Sequence, residues 1–174
     1  MKAAAIVAFV VAIPLGAQAV TPLQPTRDSV IAVAREIMHG ARYASMVTIG
    51  PDGHPQARIV DPFAPASDLT VWIGTNALTR KVSELRRDPR VTLLYFNAVD
   101  GEYVTVVGVA ALVADSASRA QHWKEEWAAF YAGGPLDTNY LLVRVTPIRL
   151  EVVSPRRGIL NDAVTWRPVS VSVP

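Results

Sequence analysis

The chain has no cysteine among its 174 residues. Disulfides, thiolate nucleophiles and cysteine-ligated metals are therefore excluded. Histidine is almost as scarce. His39, His54 and His122 stand far apart with no carboxylate at metal-ligand spacing, so neither a zinc centre nor a His-Glu-x-x-His hydrolase is supported. No Gly-x-Ser-x-Gly elbow occurs. No Gly-x-Gly-x-x-Gly follows a strand, which leaves a Rossmann dinucleotide site without its glycine turn. Charged residues make up only 18% of the chain, the net charge is +2, and there is no dense basic run. Composition thus gives no nucleic-acid footprint. Lysine is rarer still: beyond Lys2 there are only Lys81 and Lys124, against many arginines.

What is present is apolar. At 51% hydrophobic, a chain of this length can bury one sizeable core and is most simply one domain. The start reads as a leader. Met1-Lys2 is a minimal positive head, 3–15 is an apolar stretch, and Ala17-Gln18-Ala19 fits a small-x-small cleavage site. The stretch is short for a membrane span of roughly 20 residues. Cleavage after Ala19 would leave a mature chain beginning at Val20, exported to the periplasm or secreted; an uncleaved amphipathic anchor is the competing reading. A linker over 20–27 with Pro22 and Pro25, a folded unit over 28–153 and an irregular tail over 154–174 complete the expected division.

Within the folded unit, periodicity predicts a helix capped by Thr26 or Asp28, with Val30, Ile31, Val33, Ala34, Ile37 and Met38 on its apolar stripe. Strands follow over 43–49 and 56–60, joined by the turn Gly50-Pro51-Asp52-Gly53-His54-Pro55. A third strand is expected over 69–73, then a helix carrying Leu78, Val82 and Leu85 that ends near Asp88-Pro89. Short and long strands at 91–96 and 103–113 come next. In the longer one, Gly108 marks a bulge or a close backbone approach. A single helix from Asp115 or Ser116 to Tyr131 is expected to bear Trp123, Trp127 and Phe130. Two last strands, 141–145 and 150–153, are separated by Pro147. Paired strands with helices between them argue for an antiparallel sheet closed into a small barrel, mainly β with flanking helices.

The segment Thr75-Asn76-Ala77-Leu78-Thr79-Arg80-Lys81 carries the most chemistry. Two hydroxyls, an arginine and one of the rare lysines cluster where a strand hands over to a helix. Unpaired N–H groups and the dipole at a helix start favour anions, and Arg80 and Lys81 add a forked donor and a point charge. This is a phosphate-site candidate. An ordinary capped helix with a solvated basic turn fits the same spacing.

Taken in order, Gly53-His54-Pro55-Gln56-Ala57-Arg58-Ile59-Val60, Trp72-Ile73-Gly74-Thr75 with Thr79-Arg80-Lys81, Arg87-Asp88-Pro89-Arg90-Val91, Tyr103-Val104-Thr105-Val106-Val107-Gly108 and Leu142-Val143-Arg144-Val145-Thr146-Pro147 form a recognisable series. It resembles the FMN-binding split barrel of the pyridoxamine-phosphate-oxidase superfamily, closest to its general-stress-protein branch, over about 28–153. The resemblance implies an antiparallel split β-barrel of the Greek-key type. It also implies that Arg58 lies along the flavin, that the backbone at Ile59 and Val60 reaches the ring edge, and that Gly74 and Thr75 flank the cofactor. Thr79, Arg80 and Lys81 then match the phosphate-binding group, and Tyr103 a position near the cofactor. A homodimer completing two equivalent sites is implied as well. The substrate-binding arginine and histidine of true oxidases find no match in 156–174, so the substrate is left open.

Three functions compete. One is an FMN-dependent oxidoreductase acting on a small substrate, in which the cofactor carries the redox chemistry and no side chain must act as nucleophile. Another is a module that binds or sequesters FMN, a deazaflavin or haem without turnover. The last is a split barrel that has lost its ligand and acts through its surface.

Overall fold

The computed structural model describes residues 25–173. The expected leader, 1–19, and most of the expected linker lie outside the described residues. Helix α1 spans Arg27–Gly40 and opens at Thr26, whose hydroxyl accepts the Ser29 N–H at 3.2 Å. A cap of this kind contributes about 1 kcal/mol. Helical spacing sets Val30, Ala34, Ile37 and Met38 on one face, and that face is buried.

Seven strands follow: β1 Ala44–Ile49, β2 Pro55–Val60, β3 Val71–Asn76, β4 Arg90–Asn97, β5 Glu102–Val113, β6 Tyr140–Val153 and β7 Val169–Ser172. All pair antiparallel in the order β2-β1-β4-β5-β6-β3, with β7 added on the second half of β6. The sheet curls until the chain leaving β2 meets β3. There Pro62 bridges Ile73, and the Phe63 N–H donates to the Trp72 carbonyl at 2.8 Å. This is the expected antiparallel half-barrel with a few helices. Strand alternation turns Met46, Leu93, Val104, Val106, Val143 and Leu150 inward, where they meet the buried face of α1. Helix α2, Arg80–Arg87, packs Val82 and Leu85 against the barrel. Among the described residues no helix is long and apolar enough to cross a membrane.

The chain departs from the sequence expectation in four places. Strand β3 continues through Gly74, Thr75 and Asn76, and Leu78 stands exposed in a turn rather than on a helix stripe. The Asn76 side chain accepts the Leu78 N–H at 2.8 Å, and its carbonyl accepts the Thr79 hydroxyl at 2.8 Å. That Asn-based turn delays the helix to Thr79. Strand β6 runs unbroken through Pro147, because Pro147 faces Gly108 where the register shifts and the ladder asks for no N–H. Gly108 has to lack a side chain: the Thr146 carbonyl oxygen lies 2.5 Å from where a Cβ would stand.

The expected long helix over 115–131 is instead α3, Ser116–Gln121, and a separate 3-10 turn, Glu125–Ala129. The spacing of Trp123 and Trp127 serves an aromatic cluster with Tyr131 and Tyr140. Finally, the tail is not wholly irregular. Val169 and Val171 of β7 pack on the main core, and the buried Glu102 accepts the Ser154 hydroxyl and takes Arg156 and Arg157 at 3.2 Å each.

Candidate functional site

The hairpin of β1 and β2 builds one wall of the site. In its register Met46 faces Arg58 and Thr48 faces Gln56, so Arg58 and Thr48 share the inward face while Ile59 points out. Thr48 is fully buried among apolar neighbours, which calls for a partner. That partner is Glu84 of α2, 1% exposed. The Thr48 hydroxyl donates to Glu84 Oε2 at 2.5 Å and Arg58 Nη2 donates to the same oxygen at 2.7 Å. Arg58 Nη1 also donates to Thr48. On the other side, Arg80 Nε lies 3.0 Å from Glu84 Oε1, an ion pair without hydrogen-bond alignment. Burial pushes the Glu84 carboxyl up, but the Thr48 hydrogen bond and the Arg58 charge outweigh it and hold it below its ordinary 4.5.

In front of this cluster opens a cleft of about 730 Å³. Ile59 and Asp61 form one side, and Gly74, Thr75 and Asn76 at the end of β3 form the floor. Thr79 and Lys81 stand at the start of α2. Lys81 Nζ donates to Thr75 Oγ1 at 2.7 Å and lies 3.3 Å from Thr79 Oγ1. Because the Thr79 hydroxyl turns back to Asn76, it does not cap the helix, and the first turn of α2 carries no acidic residue. The Val82 N–H is taken by the Thr79 carbonyl at 3.0 Å, so the helix start keeps the N–H groups of Arg80 and Lys81 and its partial positive charge for something else. Burial and then the Arg58 charge lower the Lys81 pKa from 10.5, and Glu84 only partly offsets them. Among the described residues no carboxylate lies within ion-pair distance of Lys81.

The 3-10 turn covers the cleft with Trp127, Phe130 and Tyr131. Trp127 packs so closely on Gly74 that its ring fills the space a Cβ there would need, so only glycine fits. Lys124 ties this segment to the end of β2 through Asp61 at 2.8 Å. Its ammonium also sits over the Phe63 and Trp127 rings, 5.0 and 5.2 Å from their centroids.

Of the residues singled out in the sequence, Ile59, Gly74, Thr75, Thr79 and Lys81 converge on this cleft. Arg58, 18% exposed, sits behind it against Glu84, and Val60 belongs to the core. Arg80, 64% exposed, is held along the helix surface by the same carboxylate. Tyr103 lies on the outward face of β5 opposite Phe96 and is not part of the cleft. Thr48, Glu84, Asp61 and the three aromatics of the 3-10 turn were missed. Thr48 could have been found, as a hydroxyl in step with Ala44 and Met46 on an inward face.

A donor set of one ammonium, two hydroxyls and an uncapped helix start suits a phosphate monoester. Residues 31–154 match the family model described as pyridoxamine 5'-phosphate oxidase. The chain belongs to the pyridoxamine 5'-phosphate oxidase family. Solved structures agree on the fold. A Clostridium acetobutylicum protein related to general stress protein 26 superposes with a TM-score of 0.69 at 17% identity, covering 85% of this chain and 96% of that one. General stress protein 26 from Bacillus anthracis gives 0.61 at 21% identity, with 73% and 92% covered. A pyridoxamine 5'-phosphate oxidase-related, FMN-binding protein from Nostoc punctiforme gives 0.56 at 17% identity, with 88% and 100% covered. No curated protein matches the chain.

Proposed function

We propose that this family member binds FMN non-covalently in the cleft and acts as a flavin-dependent oxidoreductase on a small substrate. The observation that carries the reading is Lys81: a partly desolvated ammonium held on Thr75 and Thr79 at an uncapped helix start, with no carboxylate of its own. When bound, FMN supplies the redox chemistry. The chain supplies position and field. Lys81, Thr75, Thr79 and the N–H groups of Arg80 and Lys81 at the start of α2 hold the phosphate. The backbone at Ile59 and Val60 and the Trp127 ring that lies over Gly74 offer an apolar slot to the ring. Phe130, 77% exposed, stands at the rim, where a bound ring would cover it. The test is direct: titrate ligand-free protein with FMN and with riboflavin. A yellow complex that prefers FMN by roughly ten- to a hundredfold is expected, the worth of a charge-assisted anchor. Equal affinity for both rejects the phosphate anchor, and no flavin binding rejects the reading.

A second reading, a module that holds a flavin, deazaflavin or haem without turnover, is favoured by one observation. The Trp127 segment is pinned over Gly74 and tied down through Lys124 and Asp61, which narrows the space for a substrate beside the ring. Reduction of the bound flavin by a nicotinamide or other donor, followed by reoxidation with an acceptor, separates the two.

We also propose a homodimer. The outward sheet face presents Ile59, 66% exposed, with Leu94 and Phe96 also open. Ser45 lies between Ile59 and Leu94 in the register, and Phe96 pairs with Tyr103. A second copy covering this face would bring Ile59, and with it the cleft mouth, to the interface. Two-fold closure is the commonest way to bury such a surface. Light scattering at micromolar concentration should return twice the chain mass; a monomer that binds FMN tightly would reject the arrangement.

A further inference from the structure

We propose that Glu84 is the specificity-determining residue of the anion site, matching it to a single phosphate monoester and against more highly charged phosphates. The inference rests on the phosphate-anchor reading above, but not on the ligand being a flavin. Arg58 and Arg80 pair with one carboxylate and Lys81 stands beside them within reach of its field, so the cluster carries two net positive charges. A phosphate monoester carries roughly two negative charges at neutral pH. The match depends on Glu84, since the other carboxylate at the cleft, Asp61, is already neutralised by Lys124.

Glu84 also sets geometry. It draws Arg58 back toward Thr48 at 2.7 Å and lays Arg80 along the helix surface at 3.0 Å, so neither guanidinium lines the cleft and Lys81 alone faces the anion. One of its oxygens, Oε1, is buried without a hydrogen bond. A buried oxygen left in this state contributes less to stability than a fully bonded one, as expected of a residue retained for the site rather than for the fold. With Glu84 neutralised, Arg80 is free to swing toward the cleft and the cluster gains a third positive charge. The site then accepts a second phosphate group.

The experiment uses the full chain, labelled at lysine, with inorganic phosphate and inorganic pyrophosphate as probes. Lys81 is assigned as the signal lost in Lys81→Arg, and its side-chain NMR shift reports binding. In the natural chain both anions should shift Lys81. In Glu84→Gln the preference for pyrophosphate over phosphate should rise roughly five- to tenfold. Adding Arg80→Gln to Glu84→Gln should return it to the starting ratio. Arg80→Gln alone, which leaves the Arg58–Glu84 pair intact, should lower the ratio and serves if Glu84→Gln does not fold. Equal weakening of both anions in Glu84→Gln, or an unmoved ratio in Arg80→Gln, would make Glu84 merely structural and overturn the proposal. No Lys81 shift with either anion in the natural chain would overturn the anchor as well.

Discussion

Arg58→Met is expected to cost about 3–5 kcal/mol of folding stability, measured by urea unfolding. The reason is what it leaves behind. Glu84 is 1% exposed, its Oε1 already lacks a hydrogen bond, and without Arg58 its carboxylate keeps only the Thr48 hydroxyl and the outlying Arg80. Arg80 is too exposed to compensate, since a solvated pair is worth about 0–1 kcal/mol. Removing both partners should cost much less than removing one: Arg58→Met with Glu84→Gln should regain most of the loss. The acid limb shifts too. The folded-state pKa of Glu84 lies below its unfolded value of 4.5, so its contribution is present above that pH and fades as pH falls through the lowered value. Arg58→Met takes away part of that depression while the Thr48 hydrogen bond keeps the rest, and acid unfolding should begin at higher pH. A loss under about 1 kcal/mol with an unmoved acid limb would show that Glu84 does not need Arg58.

For Lys81→Met the expected result is a ten- to hundredfold loss of FMN affinity, about 1.5–3 kcal/mol, with riboflavin affinity unchanged. The methionine keeps the length and apolar stem of the side chain, so the slot for the ring is undisturbed. Since the Lys81 pKa is lowered from 10.5, the natural chain should hold FMN best between the second phosphate pKa, about 6, and that lowered value, and lose its preference over riboflavin as pH rises through the latter. In Lys81→Met the same pH span should leave the preference flat. Parallel losses for both flavins would mean that Lys81 supports the cleft wall rather than the phosphate.

The elements that obey one period were legible in the sequence. Helix α1 and strands β1, β2, β4 and β5 stand close to where Val30, Ile37, Met46 and Val104 place them. The meeting of Thr79 and Lys81 at the cleft was legible too, because they are neighbours in the chain where a strand hands over to a helix. Long-range competition hid the rest. Pro147 reads as a strand end until Gly108, distant in sequence, supplies the bulge opposite it. Trp123 and Trp127 keep helical spacing while serving Tyr140 and Gly74. Glu84 looks like a surface charge four residues from Arg80. Nothing local shows that Thr48 and Arg58 will bury it. The tail strand did leave a trace, the alternation Val169-Ser170-Val171-Ser172, but four residues are too few to tell from chance.

Strand β6 has a consequence for how the molecule comes into being. Apart from the bridge at Pro62, β3 has one sheet neighbour, and that neighbour is the first half of β6, where Gly74 faces Leu142 and Thr75 faces Leu141. As the ribosome delivers the chain, β1, β2, β4 and β5 can assemble while β3 waits for a partner more than sixty residues downstream. Closing so long a loop is slow compared with a hairpin. The cleft floor is thus among the last parts to form. A nascent or truncated chain ending before about 145 would own Thr79, Arg80 and Lys81 but no surface on which to set them. The cleft can take a ligand only once the first half of β6 has been made and paired with β3.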